Sequence, residues 1–176
     1  MALMIASCNR TLLVRRSAAW WAACCRSVRL CLVPPRWSRN NPIDLAGGET
    51  RDTIPEVLDL VCAHPDVDAV IHLGLGIQAA TANLFQTGRF YPDHGLERMA
   101  GFHEKQDRRY AEAGIEASRK HGKPVLAVTE LVASNPENPA PAALREHGRL
   151  CYPSAHRAVR ALGALVRWSE YQGRNR

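Results

Sequence analysis

Two short apolar runs constrain the fold of this chain most strongly: residues 67–73 (VDAVIHL) and residues 125–131 (VLAVTEL). Both are rich in valine and other aliphatic residues, which favours strands that are covered on both faces of a sheet. Helical patterns precede the first run and separate it from the second. This alternation predicts an α/β fold with a parallel sheet and right-handed crossovers.

Helices are predicted around these runs from apolar spacing and end signals. In chain order they are expected at residues 53 to about 64, from Ile77 to Phe85, over residues 102–121, in a short stretch ending at His147, and after Ser154. The first would begin with a capping box in which the Thr53 hydroxyl accepts the N–H of Glu56. The last carries an apolar stripe at helical spacing, formed by Ala155, Val159, Leu162 and Val166.

The positive charge of the chain is concentrated near its start. Residues 1–40 contain seven arginines and no Asp, Glu or Lys, so the remaining residues carry −1 of the total of +6. We therefore predict an irregular or disordered extension over residues 1–40, although an Arg-rich, acid-free stretch also matches an organellar transit peptide. Because the excess of positive charge lies outside the predicted domain, no nucleic-acid partner is expected.

Cysteine usage and hydropathy indicate a reducing, cytoplasmic setting. Cys62 and Cys151 fall in predicted elements and are expected to be buried thiols, and no cysteine pair has metal-ligand spacing. The uncharged run at residues 17–25 is far shorter than the roughly 20 residues that span a bilayer. We predict no metal site and no membrane association.

The candidate ligand site is the turn Gly74-Leu75-Gly76-Ile77-Gln78. Glycines between a buried strand and a helix leave free N–H groups at the helix start, and these donors and the helix dipole both favour an anion. The turn lacks the third glycine and the acidic residue of a dinucleotide fingerprint, so a plain strand-to-helix connection is the alternative. No P-loop, G-x-S-x-G or H-E-x-x-H motif occurs, and no catalytic residue is predicted.

Residues 41–172 resemble the last flavodoxin-like CoA-ligase subdomain of NDP-forming acetate/acyl-CoA synthetases, relatives of succinyl-CoA synthetase. The similar segments are residues 41–48 (NPIDLAGG), 64–70 (HPDVDAV), 122–128 (GKPVLAV) and 152–168 (YPSAHRAVRALGALVRW). The resemblance implies a three-layer, flavodoxin-like fold with a parallel sheet over residues 41–172, followed by a tail at residues 173–176.

In that family, acyl-CoA, NDP and phosphate are interconverted with acid, CoA and NTP through a phosphohistidine. The resemblance implies that the turn at Gly74 directs the backbone N–H groups of Gly76, Ile77 and Gln78 at a phosphohistidine from another subdomain. The relatives have Gly-Gly-Ile at this turn, whereas Leu75 lies between two glycines here. On this hypothesis, Gly76→Pro should abolish activity of a reconstituted complex and leave the domain folded.

The resemblance also implies partners. The family's phosphohistidine motif, its CoA-binding domain and its ATP-grasp portion have no counterpart in this sequence, so CoA and ATP or ADP would be bound by a CoA-binding/phosphohistidine subunit and an ATP-grasp subunit. The chain alone is expected to bind no cofactor and to be inactive. Two alternatives stay open: a non-catalytic interaction module that retains the fold, and an independent enzyme using His94 and His103 beside an aromatic loop at residues 88–101.

Overall fold

The computed structural model describes residues 2–6, 38, 41–45, 52–132, 135 and 137–174. The elements are, in chain order, β1 (Ala2–Ala6), β2 (Ile43–Asp44), α1 (Thr53–Ala63), β3 (Ala69–Leu73), α2 (Ile77–Gln86), α3 (Leu96–His121), β4 (Val125–Val128), α4 (Pro139–Glu146), β5 (Cys151–Tyr152) and α5 (Ala155–Arg174). A 3-10 turn, Glu130–Val132, follows β4.

The strands form one sheet in the order β2-β1-β3-β4-β5. β3, β4 and β5 are parallel, and each pair is connected by a segment that contains helix. This confirms the predicted α/β class and its parallel sheet. β1 pairs antiparallel with β3, and β2 pairs antiparallel with β1. These two strands extend the sheet on the β3 side.

The β1 strand corrects the predicted N-terminal extension. Ala2–Ala6 pairs along its whole length with Ala69–Leu73, and Leu3 is buried in the core beside Ile43. The five residues of β1 are apolar and uncharged, and the arginine composition of the following residues obscured that local signal. Apart from Ser38, which bridges to Asp44, the rest of the predicted extension lies outside the described residues.

The two faces of the sheet contact different helices, because successive strand residues point to opposite sides. Val70 and Ala127 belong to the larger apolar cluster, which also contains residues of α1, α3 and α4. Ile71 and Leu126 belong to a smaller cluster with Ala158 of α5. Helices therefore cover both faces, and the carboxyl ends of β3 and β4 meet at one edge of the sheet, where ligands collect in such folds.

Several helix boundaries follow the prediction. α1 ends before His64-Pro65, and Ile54, Val57, Leu58 and Val61 are all buried. α3 ends at Gly122, whose φ of 64° provides the left-handed C-cap that glycine favours. The Arg157 N–H donates to the Ser154 hydroxyl, which confirms the cap predicted for the last helix.

Other boundaries differ from the prediction. Asp52 is the N-cap of α1, and the Glu56 N–H donates to its carbonyl rather than to the Thr53 hydroxyl, so the predicted capping box is wrong. α3 begins at Leu96 instead of Phe102, which shortens the aromatic loop. α5 continues through Arg174, two residues into the predicted tail, and it buries Ala158 rather than the predicted stripe.

Candidate functional site

The turn after β3 has the tight backbone that its glycines predict. Gly74 and Gly76 have φ values of 82° and 91°, which L side chains rarely adopt. Between them, Leu75 is 1% exposed and its N–H donates to the carbonyl of Val128. This hydrogen bond joins the turn to the end of β4. The first N–H groups of α2 point toward α3.

Those amides already have an acceptor within the chain. The Gly76 N–H donates to Asp107 Oδ1 (2.9 Å) and the Ala79 N–H donates to Oδ2 (2.6 Å). The Gln78 N–H also favours the charged form of this carboxyl group. Asp107 lies in α3 and is fully buried, so it acts as an N-cap for α2 across the tertiary structure.

The electrostatics of Asp107 reflect two opposing causes. Burial raises the pKa of its carboxyl group to about 6, and the hydrogen bonds from Ala79, Gly76 and Gln78 oppose that rise because they favour the charged form. A carboxylate at the first turn of a helix also interacts favourably with the helix dipole. Asp107 is therefore an internal anion held where an external one was predicted.

This arrangement bears on the predicted phosphate site at Gly74, Gly76, Ile77 and Gln78, which stays a prediction. Of its three donors, the Gly76 N–H bonds to Asp107, so a phosphate at this amide would have to displace a buried carboxylate. Ile77, whose side chain is 48% exposed, is another predicted donor. Sequence reasoning missed Asp107 because it lies 31 residues from Gly76. The available signal was its helical spacing with the apolar residues Tyr110 and Ala111, which places an acid on a buried face.

Asn138 and Thr129 close the other side of the turn. Asn138 Nδ2 donates to the Gly76 carbonyl (3.1 Å), while Asn138 Oδ1 accepts from the Ala140 N–H (3.0 Å) and so caps α4. A Cβ at Gly76 would lie 2.8 Å from Asn138 Nδ2 and 3.0 Å from Thr129 Oγ1. Gly76→Pro is therefore unsuitable as a test of ligand binding, since proline fixes φ near −65° and removes the N–H that bonds to Asp107. We therefore expect Gly76→Pro to destabilise the domain itself.

The structure does not bring the two candidate histidines together. His103 Nδ1 lies 2.5 Å from Gln78 Oε1, and its ring contacts the rings of Phe85 and Phe102. His94 instead contacts Phe90 on the exposed loop, with its ring centroid 5.9 Å away. Within the described residues, no hydrogen bond or ring contact joins His94 to His103.

Three further groups of chemical interest are the imidazole of His72 and the thiols of Cys62 and Cys151. His72 in β3 is 1% exposed, burial lowers its pKa to about 3, and its Nε2 has no partner among the described residues. Burial raises the pKa of the thiols of Cys62 and Cys151 to about 11, which disfavours the reactive thiolate. Cys62 is buried as predicted, whereas Cys151 is half-buried.

Two features are absent from the described residues. This part of the chain contains no cluster of His, Cys, Asp and Glu placed to hold a metal ion. It also contains no helix with the length and hydropathy needed to cross a membrane. No protein-family model, curated protein or solved structure matches this chain.

Proposed function

We propose that this chain is a non-catalytic interaction subunit, or part of one, of an assembly similar to the NDP-forming acyl-CoA synthetases. It keeps the flavodoxin-like CoA-ligase fold and leaves the chemistry to cytoplasmic partner polypeptides that bind CoA and ATP or ADP. One observation favours this function over the phosphate-binding alternative. The Asp107 carboxylate accepts hydrogen bonds from the Gly76 and Ala79 N–H groups at the start of α2.

The segments that carry the family resemblance coincide with structural elements, which supports the proposed fold. Residues 64–70 lead into β3, residues 122–128 contain the Gly122 cap and β4, and residues 152–168 contain the end of β5 and most of α5. Helices on both faces of three parallel strands are consistent with a flavodoxin-like arrangement. β1 and β2 add antiparallel pairing that this resemblance did not imply.

Electrostatics argue against a phosphoryl group at the start of α2. The Asp107 carboxylate occupies the position at which the amide donors converge, and two negative groups within a few ångströms repel each other strongly where water is excluded. The phosphohistidine-holding role implied by the resemblance therefore stays a prediction that requires Asp107 to move away or to take up a proton.

Inorganic phosphate distinguishes the two roles directly. The full chain, labelled with ¹⁵N, is titrated with phosphate while the amide signals of Gly76, Ile77 and Gln78 are followed. We expect no saturable shift in the wild type. A saturable shift confined to these amides would overturn the proposal. Asp107→Ser removes the carboxylate that accepts these amides and is the positive comparison. Asp66→Ser, in the exposed turn before β3, is the matched control.

The subunit role is tested by reconstitution. The chain is co-expressed with the CoA-binding/phosphohistidine and ATP-grasp polypeptides of a synthetase from the same organism, and the complex is measured by size-exclusion chromatography with light scattering. We expect a stoichiometric complex, with acyl-CoA synthesis only when the partner polypeptides are present. Failure to form a complex, or acyl-CoA synthesis by the purified chain alone, would contradict the proposal.

A further inference from the structure

His72 is a polar residue on the covered face of the central strand β3. It lies two residues after Val70, so its ring points to the same side of the sheet as the larger apolar cluster. The residue is 1% exposed, and its Nε2 has no hydrogen-bond partner among the described residues. A buried polar atom without a partner costs free energy, so native structures almost always provide one.

A small cavity lies beside this ring. Its volume is about 10 Å³, and its apolar walls include Leu75 and Leu144. Three of the residues that line it are polar, namely His72, Ser118 and Arg149. A buried water needs about 10–15 Å³ and roughly two to four polar partners. The cavity therefore has the size and the chemistry for one water molecule, and it is too small for an organic ligand.

Gly114 keeps space open beside the ring. It lines the cavity from the interior of α3, where glycine is among the poorest helix formers. A Cβ at this position would lie 3.5 Å from Val125 Cγ1 and 3.9 Å from His72 Nδ1, which are ordinary contact distances. Alanine would therefore fit at residue 114 without a clash, and its methyl group would fill the space next to His72.

The chemistry of the lining favours water over an ion. Burial lowers the pKa of His72 to about 3, so its ring is neutral near neutral pH and has one donor and one acceptor nitrogen. Water both donates and accepts, as does the hydroxyl of Ser118, which is 6% exposed. A metal cation would be repelled by the Arg149 guanidinium, and a chloride ion is larger than water and can only accept.

We infer that the cavity beside His72 binds one ordered water molecule, which bridges the His72 imidazole to the Ser118 hydroxyl. This water joins β3 to α3 beside the glycine turn, because Leu75 of that turn lines the same cavity. α3 also carries Asp107, roughly three turns before Ser118, so the bridge helps to hold the helix that caps α2. The inference concerns the core of the domain and does not depend on the proposed function.

The ¹⁷O relaxation dispersion of water in solutions of the full chain tests this inference, because it counts buried water molecules with long residence times. We expect Gly114→Ala to lower that count by one, since the new methyl group takes the place of the water. Ser118→Ala removes one hydrogen-bond partner and should also lower the dispersion amplitude. Gly101→Ala is the matched control, because Gly101 also lies in α3 and nothing lies within 4 Å of its Cβ.

Thermal unfolding of the two glycine variants gives an independent measure. Gly101→Ala should raise the Tm by about 2–4 °C, because alanine is the better helix former. Gly114→Ala gains the same helix propensity but loses the hydrogen bonds of the water, so its Tm should not rise. A crystal structure of the full chain should show the water within hydrogen-bond distance of a His72 nitrogen and of Ser118 Oγ.

Three results would contradict the inference. An unchanged dispersion in Gly114→Ala, with a Tm that rises as much as in Gly101→Ala, would mean that the cavity is dry. Bromide bound beside Arg149 in crystals soaked with bromide would identify a small-anion site instead. An unchanged dispersion amplitude in Ser118→Ala would show that the Ser118 hydroxyl does not hold the water.

Discussion

Asp107 determines what the start of α2 can bind. Its two carboxylate oxygens accept amide donors that would otherwise point at a ligand. We expect Asp107→Asn to lower the free energy of unfolding by roughly 1–3 kcal/mol near neutral pH, because the asparagine NH₂ group must then face a backbone N–H. Urea unfolding monitored by circular dichroism measures the change.

Asp66→Asn is the control for this prediction, because Asp66 lies exposed in the turn before β3. Its stability should stay within about 0.5 kcal/mol of the wild type. Equal stability of Asp107→Asn and Asp66→Asn would show that the Asp107 contacts do not hold α2.

Two buried residues make the stability of this chain depend on pH in opposite directions. The folded-state pKa of Asp107, about 6, lies above its ordinary value of 3.8. The stabilisation that comes from protonating its carboxyl group is therefore fully present below about pH 4 and is lost as the pH rises through 6. The folded-state pKa of His72, about 3, lies below its ordinary value of 6.5. The stability that the neutral imidazole of His72 provides is fully present above pH 6.5. It is lost as the pH falls, because only the unfolded chain binds the proton.

Between about pH 4 and 6, each of these residues changes the free energy of unfolding by up to about 1.4 kcal/mol per pH unit, with opposite signs. We expect the two contributions largely to cancel in the wild type. In His72→Leu the stability should fall as the pH rises across this range, whereas in Asp107→Asn it should fall as the pH decreases. Urea unfolding at several pH values checks this, and parallel profiles in all three proteins would refute it.

The strand-turn-helix unit formed by β3, the glycine turn and α2 depends on Gly76 for both conformation and space. Gly76→Ala introduces a Cβ 2.8 Å from Asn138 Nδ2 at a φ of 91°. Gly122→Ala also places alanine at a positive φ, but nothing lies within 4 Å of its Cβ. We expect Gly122→Ala to cost about 1 kcal/mol and Gly76→Ala to cost at least 1–2 kcal/mol more. Thermal unfolding of the two variants measures this difference, and equal costs would exclude the predicted clash with Asn138.

The elements that were predictable from sequence are those with local signals. β3 and β4 follow from apolar runs, and the end of α3 follows from Gly122. The start of α3 was missed because Gly95 with a left-handed φ serves as its N-cap, a conformation that residue identity alone does not reveal. Asp107 was missed for a different reason. It bonds to the N–H groups of Gly76 and Ala79, which are far from it in sequence, and neither charge nor spacing indicates which helix start a buried acid will cap.

At the scale of the whole molecule, β1 lies inside the sheet and not at its edge. β1 lies between β2 and β3, and Leu3 is 1% exposed in the same apolar cluster as Ile43 and Ile54. The antiparallel pairing of β1 with β3 therefore joins residues far apart in sequence into one core. The domain boundary predicted at residue 40 from composition separates β1 from the rest of this sheet. Composition could not show the pairing of β1, because tertiary packing determines which strands pair.

We expect Leu3→Ala to lower the free energy of unfolding by about 2–5 kcal/mol, because it removes a fully buried leucine from the larger cluster and leaves a cavity. Leu150→Ala, at a leucine that is 71% exposed, is the matched control and should change stability by less than about 0.5 kcal/mol. Urea unfolding gives the free energies, and hydrogen exchange at the amides of β3 shows whether pairing with β1 is lost. Equal stability of the two variants, with β3 amides still protected, would mean that the core forms without β1.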